Sequence, residues 1–278
     1  MKILFVTDLH GDTVKYQLVL EIAKRNEVKA VINGGDMLCL EDDIHRTQRE
    51  FIEGFLSDYF AEYDKAGIYH LGYLGNDDLK IHDACFNEIC SKYPHAVNLA
   101  QARFELESFE FIGMNWVADY PFQLKDRCRR DNKDYVFQRQ FGAGVLSTEK
   151  GFEELSDWVA HAATLPTIEE ELELLPKPKN PDKNVYVMHM PPNRIGLDIC
   201  QDGRGVGSQA IYNFIKKRQP RLTLHGHIHE SPSRTGIWNA KIGETVCIQP
   251  GQLKSDLLSY VIINLNDMNA KRFEEPSN

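Results

Sequence analysis

The chain has 278 residues, 42% hydrophobic and 26% charged, which is the make-up of a soluble globular protein able to bury a full core. Its formal charge of −9 and pI near 5.6 argue against non-specific binding to nucleic acid or anionic membranes, which needs clustered Lys and Arg. The six cysteines form no C-x-x-C pair and no zinc-ribbon spacing, so they are read as reduced thiols. The N-terminal run enters a strand pattern without an apolar leader and cleavage site, and no apolar stretch approaches a membrane span; a cytoplasmic chain is expected.

Residues 2–7 are apolar and β-branched, which predicts a buried strand ending at Asp8-Leu9-His10-Gly11-Asp12. Leu18 and Ile22 then recur at helical spacing. Ala30-Val31-Ile32 predicts a second strand, running into Asn33-Gly34-Gly35-Asp36. Phe51, Phe55 and Phe60, set among charged residues, predict another helix. Ile68-Tyr69-His70-Leu71 predicts a third strand before Gly75-Asn76-Asp77-Asp78. This alternation is that of βαβαβ units around a central sheet, whose sites gather after the strands.

From Phe104 the strand signals shorten, at 104–106 and 109–113. Residues 115–142 interleave aromatic side chains with Lys125, Arg127, Arg129, Arg130, Lys133 and Arg139. Residues 149–175 read as helical and acidic, ended by Pro176, Pro178 and Pro181. The stretch 115–183 is expected to be an insertion covering the core of one domain, 1–278. Strands resume at Val185–Met188, stopping at His189. A helix is expected around Ser208–Arg218, then a strand at Leu222–Leu224 before His225-Gly226-His227-Ile228-His229, and two late strands, Glu244–Gln249 and Ser259–Leu265.

Five polar clusters thus follow strand-like runs: Asp8-x-His10, Gly35-Asp36, Gly75-Asn76-Asp77-Asp78, His189, and Gly226-His227-x-His229. Residues i and i+2 of an extended segment share a face, so Asp8 can converge with His10, and His227 with His229. Carboxylate, imidazole and amide donors without thiolate suit Mn, Fe, Zn, Co or Ni. Taken singly, Asp-x-His is most often a turn or a helix N-cap, Gly-Gly-Asp a plain turn, and His189 a hydrogen-bonded interior histidine. The ordered set of five at strand ends is hard to explain as unrelated accidents.

In this order the set resembles the signature of calcineurin-like metallophosphoesterases, over essentially residues 1–250. The resemblance implies an α/β fold, a four-layer α/β/β/α sandwich of two mixed sheets with a dinuclear centre at one edge. It implies that Asp8, His10 and His229 bind a first metal, that Asn76, His189 and His227 bind a second, and that Asp36 bridges both. The implied cofactors are two divalent or trivalent transition metals (Mn, Fe, Zn or Ni). Two cations about 3.5–4 Å apart lower the pKa of a shared water and offset charge developing on a phosphoryl group. The implied activity is hydrolysis of a small-molecule phosphomonoester or phosphodiester.

Two departures narrow this reading. The family usually carries His after the Gly-Asn pair, on the leaving-group side, where this chain has Asp77 followed by Asp78. Beside two cations Asp77 is expected to be ionised, so esters with good leaving groups are favoured, with His82 a weak substitute proton donor. Leu74 stands where Ser/Thr protein phosphatases carry Arg, which ranks that activity low. In the loop 202–208, Arg204 and Ser208 are candidate substrate contacts, although Ser208 also reads as a helix N-cap. The aromatic-basic stretch 115–142 either shapes a substrate pocket or is amphipathic cover for a sheet. A non-catalytic phosphate-binding scaffold and a nuclease stay open as alternatives.

Overall fold

The alternation of side chains along the first strand sets the layers. Ile3 and Phe5 point to one face of the sheet and Leu4 and Val6 to the other, as the two-residue pleat requires. A computed structural model describes residues 1–277. In its first six-stranded sheet, Lys2–Val6, Ala30–Asn33, Tyr69–Gly72 and Ala96–Asn98 run parallel. Leu257–Asn264 and Asn269–Pro276 add antiparallel strands beside Lys2–Val6. The second sheet runs in the order Asn239–Ile242, Thr245–Ile248, Leu222–Leu224, Asn184–Met188, Phe109–Met114 and Arg103–Leu106. Its four middle strands are parallel and its two edges antiparallel.

The sheets face each other across a shared core. Ile3, Phe5, Ile32 and Leu71 of the first pack with Phe111, Val185, Val187 and Leu224 of the second. The other face of the first sheet is covered by the helices Thr13–Arg25, Ile44–Ala66 and Asp83–Ser91. The helices Trp158–Ala163, Ile168–Leu174 and Gln209–Arg218 cover the outer face of the second. The result is the expected four-layer sandwich of two mixed sheets.

Local chemistry explains most of the helix limits. Asp12 caps the first helix by accepting from the backbone of Val14 and Lys15, each at 3.1 Å. Thr167 and Glu170 close a reciprocal cap on Ile168–Leu174. The helix expected at Phe51–Phe60 widens by one π-helical turn at Ile52–Leu56. Phe51, Phe55 and Tyr59 stack along it against Tyr16, with ring centroids 5.8, 5.4 and 5.1 Å from that tyrosine.

One expectation needs correction, and several elements were not anticipated. Residues 149–175 are not continuously helical: Val145–Thr148 and Gly151–Glu154 form a hairpin before two short helices. Gly151 sits at φ +116°, which no helix interior allows. The polar strand Asn269–Pro276 gave no apolar signal because it is an edge strand with most side chains in water. The helix Asp83–Ser91 and the short strands Ala96–Asn98 and Asn239–Ile242 were likewise not anticipated.

Candidate metal centre and its cavity

The loops after the parallel strands of both sheets meet at one edge, stitched by their backbones. Asp8 N donates to Gly35 O at 2.9 Å, His10 N to Asp36 O at 3.0 Å, and Gly226 N to His189 O at 2.9 Å. Asn115, from the second sheet, donates its amide to Leu74 O of the first at 2.7 Å. The backbone is strained where the candidate ligands sit. Asp8, His10, Asp36 and His227 all take positive φ, at 57°, 44°, 50° and 68°. Such conformations cost a non-glycine residue roughly 1–3 kcal/mol and persist where the surroundings over-determine them. Asp8 and His10 therefore converge through a left-handed turn and not, as the sequence suggested, through a strand pleat. Gly75 fits because a Cβ there would collide with Asp36.

The side chains close into one cluster. His10 Nε2 lies 3.2 Å from His229 Nε2, and His229 Nε2 lies 3.4 Å from Asp8 Oδ1. His189 Nε2 lies 2.8 Å from Asn76 Oδ1 and 3.2 Å from Asp36 Oδ2. The His189 and His227 rings are 5.2 Å apart. Two groups able to hold a metal ion result: Asp8, His10, Asp36 and His229, and Asp36, His189 and His227. In each, the ligand atoms lie within 4.8 Å of one another. Asp36 belongs to both.

The donor chemistry fits cations. His189 Nδ1 donates to Gly34 O at 2.7 Å, which leaves Nε2 turned toward two oxygen acceptors. Asp8 Oδ2 and His10 Nδ1 are buried without a hydrogen-bond partner among the described residues. Burial drives the His227 ring down to about 3, helped by neighbouring His189, so it stays a neutral donor. Burial opposes charge on Asp36, but His189, His10 and the Asp77 N–H together outweigh it and hold the carboxylate ionised. On the His189 and His229 rings burial likewise opposes charge, but Asp36 and Asp8 raise both to about 9, which marks the cluster as a place that favours positive charge.

The sequence model of the calcineurin-like phosphoesterases matches residues 1–231. The chain belongs to that family. One solved structure with 18% identity superposes with a TM-score of 0.63 over 100% of this chain and 99% of its own. TT1561 of Thermus thermophilus is 15% identical with a TM-score of 0.59, over 100% and 99% of the two chains. A dimetal phosphatase from Danio rerio is 11% identical with a TM-score of 0.53, over 100% and 96%. No curated protein sequence matches. Family membership implies metal-dependent phosphoester hydrolysis, and among the described residues no helix is long and apolar enough to cross a membrane.

Several sequence-predicted residues behave otherwise. Asp78, expected on the leaving-group side, is fully buried and accepts from Met37, Leu38 and Gly75 backbone N–H groups at 2.9, 2.8 and 2.7 Å. Both its oxygens are committed, so it braces two loops and does not meet a substrate. Ser208 is also fully buried; it caps the helix Gln209–Arg218 and bonds Asp131. His82 is buried on a 3-10 turn away from the cavity. Asp77 does line the cavity, with Oδ1 accepting from Asn76 Nδ2 at 2.8 Å. Its expected ionisation counts the cations. The protein's own groups act oppositely, since burial and then Asp36 and Asp78 raise its pKa.

Beside the cluster lies a cavity of about 1010 Å³. Asp36, Asn76, Asp77, His227 and His229 form one part of its wall, and Arg204 reaches it from the 202–208 loop. The 115–142 stretch divides by chemistry. Its aromatics Tyr120, Phe122 and Phe141 line the cavity, whereas none of its cations does: Lys125, Arg127 and Arg129 are buried in the protein, and Lys133 and Arg139 are exposed outside the cavity. Lys125 pairs with Asp119 at 2.8 Å, Arg127 pairs with Asp83, and Arg129 lies 3.8 Å above the Trp116 ring. Sequence reasoning missed Gln48, fully buried, which donates to the carbonyls of Cys39 and Asp77 at 3.1 and 3.0 Å. A glutamine on a charged helix gave no signal for that.

Proposed function

We propose that the chain hydrolyses a phosphomonoester or phosphodiester of a small molecule, using two transition-metal ions. Asp8, His10 and His229 would hold one, Asn76, His189 and His227 the other, with Asp36 shared. The observation that carries this reading is Asp36, common to both ligand groups. Bound cations of this kind supply Lewis-acid charge for phosphoryl oxygens and activate water near neutral pH. The chain's own residues do the rest. His189 is fixed in one tautomer by Gly34, Asn76 is oriented by Asp77, and Asp77 N–H holds Asp36 Oδ1 at 2.9 Å. The apolar wall beside them excludes water from the substrate's organic part.

The nuclease reading loses part of its support, because Lys125, Arg127 and Arg129 are paired inside the protein and only Lys133 and Arg139 of that stretch stay exposed. The scaffold reading is opposed by four strained residues kept at the candidate ligands. The test is hydrolysis of 4-nitrophenyl phosphate and bis(4-nitrophenyl) phosphate by protein loaded in turn with Mn, Fe, Zn or Ni. Chelator-sensitive turnover of either ester is expected. Two metals bound per chain with no turnover of any ester would leave the scaffold reading standing.

A further inference from the structure

We infer that the substrate carries a single phosphoryl group on a bulky, uncharged, apolar organic group, and that the aromatic cavity beside the metal centre binds that group; this rests on the hydrolase reading above. The cavity, at about 1010 Å³, is at the upper end of small-molecule sites, far larger than a phosphate needs. Its mouth exposes large hydrophobic side chains that a soluble protein usually hides. Leu40 is 52% exposed, Phe122 61%, Phe141 68% and Phe152 50%. Phe122 and Phe141 meet edge to face with centroids 5.4 Å apart, and Tyr120 lies 5.9 Å from Phe122 and 5.8 Å from His227. A continuous apolar path therefore leads from the metal ligands to the rim.

Charge excludes the other common phosphoesters. Among the described residues Arg204 is the only Lys or Arg lining the cavity, and it is tied to Asp202 at 2.7 Å. The carboxylates Asp77, Asp119, Asp202 and Glu230 also line it. Two of the polar groups around it are turned on the protein itself: Asp119 is paired with Lys125 behind the wall, and Gln138 donates to the Asp119 carbonyl. A second phosphate, as in a nucleoside diphosphate or an oligonucleotide, would find beyond the metal centre only Arg204, already paired with Asp202, and would face Asp77 and Glu230, which carry no ion pair among the described residues. An aryl or acyl group needs neither.

The experiment is a substrate series with one leaving-group chemistry and growing apolar size: phenyl, 4-butylphenyl and 4-octylphenyl phosphate, with the phenyl ester of diphosphate for comparison. A fully buried methylene is worth about three- to fourfold in binding. KM is expected to fall at least about tenfold from phenyl to 4-butylphenyl, with kcat changing much less. Phe122→Ser with Phe141→Ser, both exposed and so tolerant of truncation, should flatten the KM trend. Phe273→Ser, on the strand Asn269–Pro276 and outside the cavity, should leave the trend intact. Titration calorimetry with 4-octylphenol on the protein without added metal reads the cavity independently of turnover, and binding at least about tenfold tighter than phenol is expected. A flat KM series in an active enzyme overturns the inference, as does a preference for the diphosphate ester or a trend that survives loss of both phenylalanines. Should no ester be hydrolysed with any metal, the hydrolase reading fails instead. The calorimetry then decides alone, with selective octylphenol binding supporting the apolar site and equal binding of both phenols refuting it.

Discussion

Arg127 Nε donates to the carbonyl of Gly75 at 2.7 Å, so a residue of the second sheet's cover holds the loop that presents Asn76. The same guanidinium forks onto Asp83, and Arg127 is only 1% exposed. Arg127→Met keeps the volume but strips the Gly75 carbonyl of its partner. Stability should fall by about 1–3 kcal/mol, the cost of an unsatisfied buried acceptor. If the bond also places Asn76, kcat should fall about tenfold or more with KM little changed, because displacing a ligand loop harms geometry more than affinity. Denaturant melts and steady-state kinetics on one preparation separate the two effects. Unaltered kcat in a destabilised variant would reduce Arg127 to a structural role.

Asp36→Asn tests the shared ligand. An amide has one good acceptor oxygen where the carboxylate has two, so it cannot serve both ligand groups. The expected outcome is loss of at least one bound metal per chain and a drop in hydrolysis of about 100-fold or more. Elemental analysis of the folded variant checks this. Two metals retained with wild-type turnover would remove Asp36 from the shared position.

The parallel strands were legible because each is a short apolar run ended by glycine and polar residues, as at Val31-Ile32-Asn33-Gly34. The candidate ligands were legible because they fall at those ends in a recognisable order. What the sequence hid are contacts fixed only in three dimensions. Asp77 and Asp78 are neighbours of one residue type, yet one lines the cavity and the other is sealed under three backbone amides. Arg127 and Phe122 sit in one aromatic-basic stretch but face opposite ways, and composition carries no information about direction. Edge strands such as Asn269–Pro276 escape because pairing on one side, not burial, defines them.

Acid sensitivity should trace in part to His70, far from the ligand loops in role. It is 1% exposed, boxed by Phe60, Tyr63 and Tyr59 with centroids at 4.9, 5.3 and 6.0 Å. Burial pushes its pKa down to about 3 from 6.5. Between those values the unfolded chain binds a proton that the folded chain refuses, so stability rises with pH. The contribution is present above about pH 6.5 and is lost as pH falls toward 3, at up to about 1.4 kcal/mol per unit. His70→Phe should flatten this window in urea melts at pH 7, 6 and 5. An identical slope in both proteins would place the sensitivity elsewhere.

Asp77 separates two accounts of the missing leaving-group histidine. Its carboxylate accepts from Asn76 Nδ2 at 2.8 Å, while its own N–H donates to Asp36 Oδ1 at 2.9 Å. This geometry makes it a clamp on Asn76, whose Oδ1 is thereby turned to His189. A clamp and a proton donor respond differently to substitution. Asp77→Asn keeps an acceptor oxygen for Asn76, so aryl-ester turnover should fall by less than about tenfold. Asp77→Ala frees Asn76 and should weaken the metal proposed at Asn76, His189 and His227 while sparing the one proposed at Asp8, His10 and His229. In neither variant should the dependence of kcat/KM on leaving-group acidity steepen, because no proton donor has been removed. The measurement is that dependence over a series from nitrophenyl to alkyl phosphates, alongside metal content. A wild-type dependence that is shallow and becomes steep in Asp77→Asn would show that Asp77 protonates the departing oxygen, and would sink the clamp account.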